Sequence, residues 1–270
     1  RLAGLTCAAQ RLQFSRMAVQ VNGELSPALD AGEGRLNLAA GPLTAAQGQM
    51  RQLGGTMQVT YRKGALNARY DLEASGITAE KLRAGRVAVA GRMRSTQGLA
   101  RFQVEGDVEG QDFAGGTGLG SVLARAQSSA AGTLGEPLLA QIRGALDRES
   151  RDSKLDGSFL VRRGSEGVSV VVPRAALHGR SGQSLLAVSR VQVLAQPNGL
   201  PRITGNFATG GEGLPRLAGR MERAGDGSLV LRAQMAAYAA GDARVAVPEL
   251  AAVQARNGAI GFSGSMQVSG

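Results

Sequence analysis

Aromatic side chains are scarce in this sequence: 3% of 270 residues, with no Trp at all. A compact core draws much of its burial free energy from rings, so a thick globular core is not the expectation. Burial has to come from Leu, Val, Ala and Met. Histidine and cysteine occur once each, as His178 and Cys7. That excludes an intramolecular disulfide and a zinc site of the usual ligand set. His178 stands in Leu177, His178, Gly179, Arg180 with no motif around it and reads as a structural histidine. No Ser/His/Asp arrangement has motif support. Carboxylates such as Asp226 and Asp242 fall on strands and turns, with no pair spaced for general acid and base work. The sequence points away from an enzyme and requires no metal or cofactor.

Lysine is nearly missing, at Lys63, Lys81 and Lys154 only, yet the formal net charge is +10. The cations are arginines scattered about one per strand. Nucleic-acid readers cluster their cations and interleave rings for base stacking; neither pattern is here, so nucleic acid is not an expected partner. No run reaches the roughly 18 apolar residues of a membrane helix. No charged start followed by an apolar run marks a signal peptide. The chain opens on Arg1 rather than Met and stops at Gly270 inside a strand-like pattern, and is expected to be a segment of something longer.

What the sequence has is alternation. A period of two puts successive side chains on opposite faces of a sheet. Phe102, Val104 and Val108 oppose Arg101, Gln103, Glu105 and Asp107; Leu66, Ala68, Tyr70 and Leu72 oppose Asn67, Arg69, Asp71 and Glu73. Leu229, Leu231 and Met235 oppose Ser228, Arg232 and Gln234, and Ile260, Phe262, Met266 and Val268 oppose Gly261, Ser263, Ser265 and Gln267. Weaker alternation runs through 35–39, 56–62, 86–94, 158–162, 168–172, 185–195 and 243–247. Turn signals separate the runs, among them Lys63, Gly64 and Asn257, Gly258. Short turns between one-sided strands predict an antiparallel meander with one wet face.

Residues 119–150 change period. Leu138, Leu139, Ile142, Ala145 and Leu146 form one helical stripe, with Pro137 suited to the first turn. An earlier helical piece spans 121–131 and ends at Gly132. The expected organisation is a β block over 1–115, a helix pair over 116–152 and a second β block over 153–270. Gly115 to Gly120 resembles a phosphate loop faintly, but lacks the Lys-Ser/Thr pair and a βαβ setting; a hinge into the helices is the simpler reading. Gly199 to Ile203 is echoed fourteen residues on by Gly213 to Leu217, each copy opening a strand candidate.

Glycine, 40 residues in all, has its own habit. Met50, Met57, Met93, Phe159, Phe207, Met221 and Met266 each have Gly two positions earlier, where chance gives about two such cases and the strand period puts both on one face. Two readings stay open. The glycines leave notches in an apolar lining, with room for acyl chains, or they relieve crowding under a folded-over sheet.

The run Gly213, Leu214, Pro215, Arg216, Leu217, Ala218, Gly219, Arg220, Met221, then Leu229 to Tyr238, Gly241 to Pro248 and Gly258 to Gly264, resembles the YdbH branch of the AsmA-like (TamB-like) envelope proteins. The helical segment with Gly132, Thr133 and Pro137, Leu138 fits as well. The likeness covers most of the chain and is one of texture rather than of a sharp motif. It implies a mainly β fold, a long curved antiparallel sheet folded into an apolar groove and interrupted by a helix pair. It implies bridge-like phospholipid transport between the inner and outer membranes, with acyl chains inside the groove and no catalytic residues. It also implies a periplasmic place, tethered to the inner membrane by an anchor outside this chain, and a small outer-membrane lipoprotein as a partner at the distal end. On this reading the expected lining is Met57, Val59, Tyr61, Leu66, Tyr70, Val87, Val89, Met93, Phe102, Val104, Phe207, Leu229, Leu231, Met235, Ile260, Phe262, Met266 and Val268. The alternative is a structural or adhesive extracellular β domain whose apolar face closes into a dry core.

Overall fold

A computed structural model describes residues 2–7, 12–45, 48–79, 82–96, 100–115, 128, 132, 135–165, 167–195, 199–223, 227–240, 243–256 and 259–269. The protein is mainly β and antiparallel. Its Cα packing divides it into two units, Arg1–Gly118 with Leu155–Val168, and Leu119–Lys154 with Ser169–Gly270.

The first unit holds β1 (Leu2–Cys7), β2 (Leu12–Leu25), β3 (Ala31–Ala40), β4 (Leu43–Ala45), β5 (Gly48–Met50), β6 (Gln52–Arg62), β7 (Ala65–Ala79), β8 (Leu82–Thr96), β9 (Arg101–Gln111), β10 (Ala114–Gly115) and β11 (Lys154–Gly164). The sheet runs β1, β2, β3, β6, β7, β8, β9, β11. It is a meander with one insertion. The short hairpin β4–β5 pairs with β2 on one side and with β7 on the other, so β3 pairs directly with β6. Turn chemistry fits its positions: Lys63 and Gly64 both take positive φ between β6 and β7, as a tight hairpin turn needs.

The second unit holds α1 (Gly135–Glu149) and the meander β12 (Gly167–His178, starting at the boundary), β13 (Ser184–Ala195), β14 (Arg202–Thr209), β15 (Leu217–Arg223), β16 (Leu229–Ala240), β17 (Ala243–Gln254) and β18 (Ile260–Ser269). The two echo copies do open strands, β14 and β15. Register shifts lie between Ser189 and Gln192, between Ala233 and Tyr238, and between Ala246 and Glu249. The last two face one another across Met235 and Val247. Bulges bend strands and increase twist, so β16 and β17 bend along a shared line.

Among the described residues one helix forms. Of the earlier helical piece, 121–131, only Ser128 is described, and it is helical; the glycine-rich run 116–120 lies outside the described residues. The Gly132 amide, ahead of α1, donates to the Glu136 carboxylate at 2.7 Å, and that carboxylate stands at the positive end of the helix dipole. Half-buried Leu139, Ile142 and Leu146 flank Ala145, which is fully buried. Ala145 sits against the β14–β15 turn, 3.4 Å from where a Cβ on Gly213 would lie. From the other side the Tyr238 hydroxyl donates to the Gly213 carbonyl at 2.7 Å.

The helix C-terminus is pinned to the β12–β13 turn. The Arg180 amide donates to the Glu149 carbonyl at 3.0 Å, and the Glu149 carboxylate accepts the Ser181 hydroxyl at 2.6 Å and its amide at 3.3 Å. Gly179 leaves the space the carboxylate fills. Buried bonds to a charged acceptor contribute about 1.5–3 kcal/mol. Glu149→Ala is therefore expected to loosen α1 by that amount, read as faster amide hydrogen exchange over 139–149. Unchanged exchange there would show that Ala145 packing alone holds the helix.

Candidate functional site: an apolar sheet face in each unit

Directly opposed residues in an antiparallel pair share a face, so the register maps each face residue by residue. In the first unit, rows crossing six strands read Val21, Leu36, Met57, Tyr70, Gly91, Gly106 and Val19, Leu38, Gly55, Leu72, Val89, Val108. The neighbouring rows carry Ala40, Leu53, Ala74, Val87, Gly110 and Gly34, Val59, Ala68, Met93, Val104. Tyr61, Leu66, Ser95 and Phe102 follow on the same face. Five steps of about 4.8 Å make each six-strand row about 24 Å long. No charged side chain stands in these rows among the described residues.

The opposite face is its complement. One row there reads Asn22, Arg35, Gln58, Arg69, Arg92, Glu105. Arg92 pairs with Glu105 at 3.0 Å and Arg86 with Glu73 at 2.6 Å. The Arg86 hydrogen bond holds the Glu73 carboxyl below its usual range. Pairs this exposed add little stability; they mark the wet side.

Ten of the residues expected from sequence therefore lie together on one face of the first unit: Met57, Val59, Tyr61, Leu66, Tyr70, Val87, Val89, Met93, Phe102 and Val104. In the second unit the register joins Phe207, Gly219, Ala233, Leu250, Gly264 and Met221, Leu231, Ala252, Phe262. Leu217, Met235 and Val247 form a third row, and Tyr238, Val245 and Val268 a fourth. Leu229 shares this face, and Met266 follows Phe262 in parity. Ile260 pairs with Gln254 through its backbone; its side chain lies outside the described residues. Sequence reading passed over Leu36, Leu38 and Val19 in the first unit, and Leu217, Val245 and Leu250 in the second. Leu36 and Leu38 sat in an alternating stretch already noted, so the signal was there.

Neither face is sealed like a core. Its members are mostly half-buried, and only Ala40, Ala68, Ala84, Phe113, Ala145 and Leu185 are buried apolar residues among those described. Exposure rises to 63% at Val21, 74% at Phe262 and 68% at Met266. Large apolar side chains grouped this way are uncommon on a finished soluble surface.

The glycines resolve between their two readings at specific places. Tyr70 lies across the sheet, its hydroxyl donating to the Glu105 carbonyl at 3.1 Å. A Cβ on Gly91 would come within 2.6 Å of that hydroxyl, and one on Gly106 within 2.7 Å of it and 3.2 Å of the Phe159 ring. Phe207 covers Gly219 in the same manner, and Val191 covers Gly205. These glycines seat a neighbour's side chain rather than leave a notch. Burial first, then the Glu105 and Asp107 carboxylates, hold the Tyr70 phenol above its ordinary range.

No group of His, Cys, Asp or Glu suited to holding a metal occurs among the described residues, and none of their helices is long and apolar enough to cross a membrane. No curated protein and no solved structure matches the chain. A model of the YdbH-like family, described as intermembrane phospholipid transport protein YdbH, matches residues 1–270, and with its one-sided antiparallel sheets the chain belongs to that family.

Proposed function

We propose that the apolar faces carry phospholipid acyl chains along a path between the inner and outer membranes, with the head groups kept toward water. The observation behind this is the run of charge-free apolar rows across six strands of the first unit, left half-exposed in a chain of an intermembrane phospholipid transport family. Each CH₂ taken from water contributes about 0.8 kcal/mol, so a long acyl chain needs a continuous lining, not a shaped pocket. A uniform lining also suits movement, since one tight site would trap the lipid. On this reading the protein works in the periplasm and is no enzyme. An inner-membrane anchor and a small outer-membrane lipoprotein complete the bridge.

Adjacent residues on β18 give the test. Photo-crosslinking residues at Phe262 and at Ser263, in intact cells with labelled phospholipid, sample opposite faces. Adducts at Phe262 and none at Ser263 are expected. Their absence at both positions in folded protein would favour a structural β domain with a dry face.

A further inference from the structure

Arg223 stands on the wrong side of its strand. Along β15 the inward positions are Leu217, Gly219, Met221 and Arg223, each opposed by an apolar residue of β16: Met235, Ala233, Leu231 and Leu229. Arg202, Arg220, Arg232 and Arg244, paired in the same sheet, fall on the wet face. Arg223 is thus the charged side chain on the apolar face of β14–β18 among the described residues. It is only half-exposed, and its Nε is buried with no hydrogen-bond partner.

A buried N–H of a guanidinium left unpaired is costly, and such a group calls for an explanation. The local geometry supplies one. Nη1 donates to the Gly227 carbonyl at 2.9 Å, which fixes the plane of the guanidinium. Nε is left without a partner on the edge it shares with Nη2, and that is an edge that grips a phosphate with two parallel bonds. A second arginine runs nearby. The stem of Arg256 passes Gly227, its Cδ 3.8 Å from the position of a Cβ there. Continuing the Arg223 row across the sheet leads through Leu229 to Gln254, an exposed amide. Polar groups therefore mark the β15–β16 and β17–β18 turn end of this face, while the β14–β15 turn end is packed by Ala145 and Tyr238.

We infer that Arg223, with Arg256 beside it, binds the phosphate of a phospholipid head group at the margin of the second unit's apolar face. The acyl chains of that lipid lie inward along Met221, Leu231 and Phe262. This rests on the acyl-chain path proposed above and adds the point where the head group is held.

The test places a photo-crosslinking residue at Gln254, and separately at Phe262, in the intact protein. Two phospholipid probes are used, one photoreactive in its head group and one at the end of an acyl chain. Head-group adducts at Gln254 are expected in the wild type and should fall about tenfold in Arg223→Met, as loss of a charge-assisted bidentate contact implies. Arg223→Lys should keep part of them. Tail adducts at Phe262 should persist in both variants, which also shows that the protein is folded. Persistent tail adducts with head-group adducts indifferent to Arg223→Met would overturn the head-group site and leave the acyl path standing. Excess inorganic phosphate competes for the same edge and should lower head-group adducts in the wild type while tail adducts persist. Absence of tail adducts at Phe262 in the wild type would remove both readings together.

Discussion

Gly91→Val is expected to destabilise the first unit by about 3 kcal/mol, while Gly164→Ala should change it by less than about 0.5 kcal/mol. The contrast comes from what a side chain meets. At Gly91 a Cβ would run into the Glu105 carbonyl oxygen, come within 2.7 Å of the Gly106 Cα and within 2.6 Å of the Tyr70 hydroxyl. Two of these are backbone atoms held by the β8–β9 ladder, and they cannot swing aside as a flexible side chain does. Overpacking of this kind costs about 1–3 kcal/mol. Displacing Tyr70 also forfeits its bond to the Glu105 carbonyl, about 1 kcal/mol more. At Gly164 nothing lies within 4 Å of the added methyl. The loss is a large share of an ordinary stability of about 5–15 kcal/mol. Hydrogen exchange of β7, β8 and β9 peptides reads it locally, which matters in a chain of two units. Protection in Gly91→Val equal to that of Gly164→Ala would mean that the sheet has slack under the ring, and the seat described for Tyr70 would have to be abandoned.

That seat shows where sequence reading stops. Face assignment was legible because an antiparallel sheet with one wet side leaves its alternation in every strand. The alternation alone leads one to expect residues as far apart as Met57 and Val104 on one lining, with no knowledge of pairing. The stripe Leu139, Ile142, Ala145, Leu146 announced α1 in the same way. Glycine was another matter. The sequence shows Gly91 two positions before Met93 on one strand, but the ring that uses the space comes from Tyr70 on the next strand. Register decides that contact, and register is a property of pairing. The β4–β5 hairpin and the β3–β6 pairing it creates were hidden for the same reason. Arg223 is a different case: counting by twos from Leu217 places it on the apolar side, but the scatter of arginines along the chain masks the one that breaks the alternation.

Val89 and Ala90 make the sharpest test of the apolar path, because one step along β8 exchanges the faces. Val89 stands between Leu72 and Val108; Ala90 stands between Asp71 and Asp107. An arginine at Ala90 enters water between two carboxylates, and cross-strand pairs of opposite charge are neutral to mildly stabilising. An arginine at Val89 puts a cation into the middle rows of the lining. A cation in acyl surroundings costs about 3 kcal/mol, which lowers lipid occupancy at that row about a hundredfold. Transport in cells that depend on the protein should therefore fall steeply in Val89→Arg and stay within about twofold of wild type in Ala90→Arg. The readout is the rate at which pulse-labelled phospholipid reaches the outer membrane, at matched protein level. Equal transport in both variants would take the first unit's apolar face out of the lipid path. Equal loss in both would point to sheet stability rather than the lining. Only a difference between two neighbours of similar strand position, differing in face alone, attributes the effect to what the face touches.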